Sequence, residues 1–388
     1  MRRRTFLIAG AAAAQAPTSS ERVRAGVVGS GGRGTFLLEQ LKELGANVAA
    51  VCDVYEPNLQ RGLKAASPGA LAYSDYRALL DDKSLEAIVI ATPDHWHATI
   101  AIDALNAGKD VYIEKPVAHT VEEGFRVIEA VRRNKRIAQV GTQRRSSELF
   151  QTARGLMPSL GPVGLVNTWW VNYQGDLQAR PLTGKLDWTQ WLGSAPKREQ
   201  DARRFFNWYN FPDYGGGLLV GQGAHVIDAI NWFMNSSWPA AVTCSAVAPA
   251  VQGSETPESV SMTVEYPEGY LAVFTLGYRA MKYNWHNDQM QHFHGARARF
   301  DVGRESYTLW PQQSAIEMKP SVDVRKPGSF TLATTAHIRN FLECVRTRNE
   351  PNAPVEVGQH TNVALRMALQ SLRTGRRVRW DAAKKTAI

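Results

Sequence analysis

The chain predicts an α/β protein: an N-terminal doubly wound parallel sheet followed by a second α/β domain with a large, open, mostly antiparallel sheet. Three observations predict it. Short apolar runs alternate with helical patterns from Val23; a glycine-rich turn, Gly29-Ser30-Gly31-Gly32-Arg33-Gly34, follows the first run; and after Ser147 the texture changes to aromatic, glycine-broken loops and strand-like alternation. At 388 residues the chain is long enough for two such cores.

The candidate strands of the first domain are Arg24 to Val28, Val48 to Cys52, a short Ala70 to Tyr73, Ala87 to Ala91, Asp110 to Glu114 and Ile137 to Val140. Between them, Thr35 to Leu44 and Thr99 to Ala107 space their apolar residues at the 3.6 period of a helix. Crossover helices between short buried strands make the sheet parallel. In the second domain the alternating runs are Val163 to Tyr173, Ala241 to Ala248, Ser259 to Tyr266, Tyr270 to Leu276 and Ala296 to Val302. The last four lack intervening helices, so they pair antiparallel, with a helix from about His225 to Phe233 on one face. Helices at Thr335 to Arg346 and Gly358 to Leu372 close the chain, and a sheet with one face left open suits a homo-oligomer, a dimer or tetramer. The resulting division is residues 23–147 for the nucleotide and 148–388 for substrate and oligomerisation.

Charge excludes little by itself. Lysine and arginine number 45 against 36 acidic residues, but Arg2, Arg3 and Arg4 supply three of the 45, leaving 42 against 36. The remainder is scattered, and the clusters in the C-terminal tail, Arg376, Arg377 and Arg379 with Lys384 and Lys385, read as solvated surface, so no nucleic-acid partner is read. Residues 1–16, MRRRTFLIAGAAAAQA, have an arginine-rich start, a short apolar stretch and a small-residue end, the pattern of a secretory signal. Arg3-Arg4-Thr5-Phe6-Leu7 resembles a twin-arginine signal, which exports folded proteins, so a periplasmic or other extracytoplasmic location is expected. The apolar stretch is too short to span a bilayer. Cys52, Cys244 and Cys344 are odd in number and widely spaced, which favours reduced, buried thiols over a disulfide framework.

The glycine turn fits GxGxxG, and its context gives it meaning. It follows a candidate strand, opens a helix, and is followed nineteen residues after Gly34 by Asp53 at the end of the second strand. Glycines there permit a tight turn and a close approach of backbone N–H groups to a pyrophosphate at a helix N-terminus. Asp53 would accept from the ribose hydroxyls; a carboxylate repels a 2′-phosphate, so the cofactor is read as NAD rather than NADP. Two further segments fall at the carboxyl ends of strands, where open parallel sheets bind ligands: Thr92-Pro93-Asp94-His95-Trp96-His97 and Glu114-Lys115-Pro116. We place Thr92, Pro93, His95, His97, Glu114 and Lys115 against the cofactor on this ground, with Gln143 beside them. A lysine in that position can also polarise a substrate oxygen.

The segment ATPDHWHATIAIDALNAGKDVYIEKP, with GTQRR at Gly141 to Arg145, DWTQWLG at Asp187 to Gly193 and YGGGLLVGQGAHVIDAINW at Tyr214 to Trp232, resembles the glucose-fructose oxidoreductase and inositol dehydrogenase family, Gfo/Idh/MocA. GTQRR and DWTQWLG resemble a subgroup that often carries export signals. The resemblance implies NAD(P)-linked chemistry on sugars or cyclitols, with Lys115 as the active-site lysine and His225 as general acid/base. An imidazole near neutral pKa suits removal of a hydroxyl proton while hydride leaves the same carbon. The family's dehydrogenases generally carry an aspartate four residues before that histidine; here Gly221 stands in its place, followed by Gln222. Some relatives with a glutamine at the Gln222 position and no aspartate resemble enzymes that oxidise the 3-hydroxyl of a pyranoside.

Rings and amides cluster in the loops that face this site: Trp169, Trp170, Asn172, Tyr173, Trp188, Trp191, Trp208, Tyr209 and Tyr214. Arg144, Asn172, Tyr173, Tyr209 and Gln222, with His225, are the candidate substrate contacts, whereas Trp188 and Trp191 are read as core. His286, His292 and His294 approach a metal-like spacing, but in an alternating strand-like stretch whose nearby carboxylate is Asp288, and no metal site is assigned to them. Three functions remain open: an exported NAD-dependent oxidoreductase acting on a ring hydroxyl of a sugar or glycoside, at C3; a glycosidase or lyase using a self-recycling NAD through a 3-keto intermediate; and a non-catalytic sugar- and NAD-binding regulator.

Overall fold

The computed structural model describes residues 22–388 apart from 179, 285 and 314–317, so the signal assigned to residues 1–16 lies outside the described residues. The first domain runs β1 (Arg24–Val28), α1 (Gly32–Glu43), β2 (Asn47–Cys52), α2 (Glu56–Ala65), β3 (Leu71–Tyr73), α3 (Tyr76–Leu80), β4 (Ala87–Ile90), α4 (Asp94–Asn106), β5 (Asp110–Ile113), α5 (Val121–Asn134) and β6 (Ala138–Val140). Its six strands are parallel in the order β3-β2-β1-β4-β5-β6. The order reverses between β1 and β4, and the crevice at that switch point is where a doubly wound sheet holds a dinucleotide. Each expected strand of this domain lies within a residue or two of its observed bounds, because β1, β2, β4, β5 and β6 are buried almost throughout.

The second domain contains α6 (Glu148–Gly155), β7 (Val163–Val171), α7 (Trp188–Leu192), α8 (Ala202–Phe206), α9 (Gly217–Met234), β8 (Ala241–Ala246), β9 (Ser259–Tyr266), β10 (Tyr270–Gly277), β11 (Gln289–Gly295), β12 (Ala298–Gly303), β13 (Ser306–Pro311), β14 (Val322–Arg325), α10 (Ser329–Thr347), α11 (Val355–Thr374), β15 (Val378–Asp381) and β16 (Thr386–Ala387). The strands form one large sheet in the order β14-β13-β12-β11-β7-β10-β9-β8-β15-β16. Only β7 and β10 pair parallel; the other neighbours are antiparallel. The alternation of burial along β9 and β10 puts Val260, Met262, Val264, Ala272, Phe274 and Leu276 into one core against α9 and α11.

Two features depart from the linear reading. Helix α10 packs back on the first domain, where Ile338, Phe341 and Leu342 join Leu37, Leu38 and Leu41 of α1 in one core, so packing does not respect a boundary at residue 147. His337 rivets the return, with Nδ1 2.7 Å from Ser146 Oγ and Nε2 2.9 Å from the Val140 carbonyl oxygen. The second departure is α9, which begins at Gly217, so His225 sits in mid-helix rather than at a helix start. Of the helix's 18 residues 14 are buried, as expected of a helix that is apolar nearly all round; Gln222 and His225, one turn apart, are polar exceptions.

Candidate active site

The turn after β1 is built for an anion. Gly29 is left-handed, with φ of 86°, and a Cβ on Gly34 would stand 1.8 Å from the Gly29 carbonyl oxygen, so helix and turn touch only because the last residue is glycine. Gly31 caps α1 without any side-chain bond, and a Cβ on Gly32 would meet nothing within 4 Å. The first N–H groups of α1 therefore face open space with no side chain to satisfy them, a cradle that fits a pyrophosphate. A cavity of 410 Å³ begins there, lined by Gly29, Gly31, Gly32, Asp53, Asn58 and Thr92 among others. Asp53 accepts from Ser30 N at 2.8 Å and Tyr55 N at 2.9 Å. Burial pushes its carboxyl above the usual range, while those backbone N–H groups pull it back. The carboxylate thus fixes the turn on the wall of the crevice.

The segment between β7 and α9 covers this cavity. Glu56 N donates to Lys185 O and Asp187 N to Val54 O, both at 2.9 Å, and Trp96 Nε1 donates to Trp191 O at 2.8 Å. Tyr55, Trp191, Phe205, Phe211 and Tyr214 form a separate aromatic core there, with Trp188 stacked on Trp191 at 4.6 Å. The core reading of Trp188 and Trp191 matches this packing, although Trp191 also lines the cavity.

A second cavity, of 550 Å³, meets the first at Ala91, Thr92 and Trp208. It brings together Arg33, Thr92, His97, Glu114, Lys115, Gln143, Tyr209, Gln222 and His225 from the residues expected at the site. Arg33 pairs with Glu114 at 2.8 Å, and Gln143 Nε2 lies 3.3 Å from Glu114 Oε1. Lys115 Nζ donates to the carbonyl oxygen of Gly221 at 2.9 Å. Burial lowers the Lys115 pKa, opposed by Glu114 and Asp94. His225 is pushed well below the usual histidine value, first by burial and then by Lys115, Arg144, Arg33 and Arg304, so it is neutral near pH 7. Its Nδ1 is buried without a partner among the described residues. Gln222 Nε2 donates to the Tyr278 hydroxyl at 2.9 Å.

Six expected contacts fall elsewhere. Ser30 and Gly34 line neither cavity: Ser30 is buried, its Oγ donating to Asn58 O at 2.9 Å, and Gly34 packs against the Gly29 carbonyl, so both build the turn rather than its open face. His95 turns into the aromatic core, its Nε2 3.0 Å from Trp191 O, and burial lowers its pKa to about 4; it lines neither cavity. Arg144 is buried beneath the site, bonded to Gln289 and lying over the rings of Phe150 and Trp170, because GTQRR forms a tight turn that aims its arginines inward. Its neighbour Arg145 pairs with Asp228 at 2.9 Å. Asn172 and Tyr173 follow the end of β7; Asn172 Oδ1 accepts from Tyr173 N, Tyr173 is 55% exposed, and neither lines the cavity. His97 reaches the cavity wall, but its ring nitrogens lie 2.6 Å from Pro116 O and 2.9 Å from Thr92 O, so it holds two cofactor-side loops together.

Trp170 and Trp208, two of the rings expected to face the site, lie on the cavity wall, whereas Asp94, Tyr278, Asp288 and Arg304, also on that wall, were not among the expected contacts. Arg304 Nη2 lies 2.7 and 2.9 Å from the two oxygens of Asp288, and its guanidinium stands 5.0 Å from the Trp170 ring centre. Trp170 Nε1 donates to Asp288 at 3.1 Å. Arg304 sits in the turn between β12 and β13, far along the chain from the motifs; Asp94 lies within one of them and was readable from its place at the carboxyl end of β4.

A Rossmann crevice opening into a second polar cavity under an open sheet defines a two-domain dinucleotide-dependent protein. The chain belongs to the Gfo/Idh/MocA oxidoreductase family: residues 23–142 match its NAD-binding Rossmann fold and residues 182–301 its C-terminal domain. It is similar to inositol 2-dehydrogenase of Salmonella typhimurium, 37% identical over 145 residues, which is 37% of this chain and 43% of that one. It is also similar to alpha-N-acetylgalactosaminidase of Shewanella oneidensis, 34% identical over 125 residues, 30% of this chain and 27% of that one. The matches thus span less than half the length of these relatives. The fold is shared with the WlbA dehydrogenase of Bordetella pertussis, solved with NADH and UDP-GlcNAcA (20% identity, 93% of this chain and 99% of that one, TM-score 0.70). It is shared too with aldose-aldose oxidoreductase of Caulobacter crescentus (19% identity, 92% and 99%, TM-score 0.71).

Proposed function

We propose that the protein is an NAD-dependent oxidoreductase acting on a ring hydroxyl, that at C3, of a sugar or glycoside. One observation carries the reading: Lys115, Gln222 and His225 line a single cavity that continues directly from the dinucleotide crevice at Thr92. NAD, when bound, supplies a hydride acceptor. Lys115 holds and polarises the hydroxyl oxygen, neutral His225 takes its proton, and Gln222 with Trp170 and Tyr278 positions the ring. Purified protein should carry or bind NAD(H), and adding a sugar or glycoside should produce absorbance at 340 nm that His225→Ala abolishes. Absence of dinucleotide binding, or unchanged turnover in that variant, defeats the proposal.

A redox-neutral glycosidase is the second reading, favoured by the aromatic segment that covers the dinucleotide crevice and by the similarity to a glycosidase. Oxidation at C3 acidifies the neighbouring C–H, the leaving group departs by elimination, water adds, and hydride returns from the same cofactor. Phenol release from aryl glycosides without net NADH distinguishes it. Export through residues 1–16 fits such a retained cofactor, and we assign the protein to an extracytoplasmic space on that ground. The uncovered sheet face, where Leu271 is 42% exposed, supports a dimer or tetramer built through that sheet.

A further inference from the structure

The glycine at position 221 has a partner that explains it. A Cβ at Gly221 would stand 2.1 Å from the Tyr209 hydroxyl oxygen and 2.4 and 2.5 Å from two of its ring carbons. The volume that a side chain at 221 would occupy is therefore filled by the phenol of Tyr209, which reaches it from the short turn Trp208–Asn210 on a different segment. That phenol lines the substrate cavity together with Lys115 and His225, and the carbonyl of Gly221 is the acceptor of the Lys115 ammonium.

We propose that Tyr209 supplies, from the covering segment, the hydrogen-bonding group that residue 221 lacks: its hydroxyl donates to the reacting oxygen of the substrate alongside Lys115. The inference rests on the oxidoreductase reading and deepens it. A buried phenol kept protonated suits the task, and burial, with Tyr278 and Asp94 nearby, raises the Tyr209 pKa well above its ordinary value. A donor in place of a carboxylate also changes the division of labour. A carboxylate at 221 could orient and charge-stabilise a protonated histidine. A neutral phenol cannot, so His225 works as an uncharged base while two donors, Lys115 and Tyr209, hold the oxygen from which it takes the proton.

The position of the donor has a further consequence. Trp208, the residue before it, lines both cavities, and the same segment covers the dinucleotide through Trp191 and Phe205. The segment that covers the dinucleotide crevice is thus the same one that delivers the phenol to the substrate cavity.

The test compares wild type, Tyr209→Phe and Gly221→Ala, loaded with NAD+, by the rate of cofactor reduction at 340 nm on mixing with a sugar the wild type oxidises. Tyr209→Phe should bind NADH as the wild type does, measured by fluorescence titration, yet reduce NAD+ about 100-fold more slowly, the scale of losing one preorganised donor. Gly221→Ala, which keeps the hydroxyl but drives a methyl into it, should show a loss of the same kind, and it reads the proposal even if the phenylalanine variant does not fold. Wild-type rates in either folded variant overturn the role of Tyr209 and leave the oxidoreductase reading standing. A wild-type protein that binds NAD+ but fails to reduce it with any of the sugars or glycosides offered defeats that reading, and the inference with it.

Discussion

Lys115 Nζ donates to the carbonyl oxygen of Gly221 at 2.9 Å, which ties the loop after β5 to the helix that carries His225. Residue 221 is one helical turn before residue 225, so the lysine contacts the backbone immediately ahead of the base. Removing the ammonium takes away both this tether and the charge that polarises the substrate oxygen. Lys115→Met should lower kcat by roughly 100-fold or more with NADH affinity little changed. Lys115→Arg should not rescue it, because a planar fork cannot replace a compact ammonium in a buried site. Stopped-flow reduction of NAD+ and fluorescence titration measure the two quantities.

Both ionisable catalytic groups have depressed pKa values, His225 from 6.5 and Lys115 from 10.5, in each case mainly through burial. The sign follows from the form each must keep. The base must be neutral, so a depressed value moves the acid limb of activity below pH 6.5. The lysine must be charged, so its depressed value moves the alkaline limb below pH 10.5. The profile of kcat/KM should therefore be a bell displaced toward acid on both sides. An acid limb at or above pH 6.5 would contradict the assignment of His225 as the base.

The sheets and the order of strands were legible because buried strands such as Ala87–Ile90 are apolar throughout and the glycine turn sits at a fixed place between strand and helix. The cofactor side of the site was legible for the same reason: its residues are close in sequence and lie at strand ends. The substrate side was not. Arg304 and Asp288 come from turns flanking β11 and β12 and meet only through sheet pairing. Arg144 looked like a sugar contact because a basic pair after a strand end gives no sign of facing inward; the tight turn and the acceptor Gln289 are tertiary facts. Likewise nothing local tells that Gly221 is empty because Tyr209 fills it.

The Arg304 and Asp288 pair, with side chains only 9% and 5% exposed, forms part of the cavity wall and holds Trp170 Nε1. Arg304→Met leaves a buried carboxylate unpaired and should cost about 3–5 kcal/mol of stability, along with a raised KM for the sugar. Adding Asp288→Asn should recover much of the stability, because the carboxylate left unpaired by the loss of Arg304 is then replaced by an uncharged amide, while KM stays high. Urea unfolding of the two variants, beside steady-state kinetics, separates the packing role from the substrate role.

Stability itself should depend on pH through two histidines remote from proton transfer. His95 and His337, 4% and 0% exposed, both have pKa values lowered to about 4 by burial. Each is neutral in the folded chain and binds a proton near pH 6.5 when unfolded, so the unfolded state takes up more protons between those values. The folded protein is therefore at full strength above pH 6.5 and weakens as pH falls toward 4, by at most roughly 3 kcal/mol per site. His337 joins α10 to the first domain through Ser146 and the Val140 carbonyl, so its protonation should loosen that packing first. His337→Gln can keep hydrogen bonding without titrating; its Tm should be lower than wild type at pH 7 and fall less between pH 6.5 and 4. Equal slopes of Tm against pH in the two proteins would show that the acid sensitivity arises elsewhere.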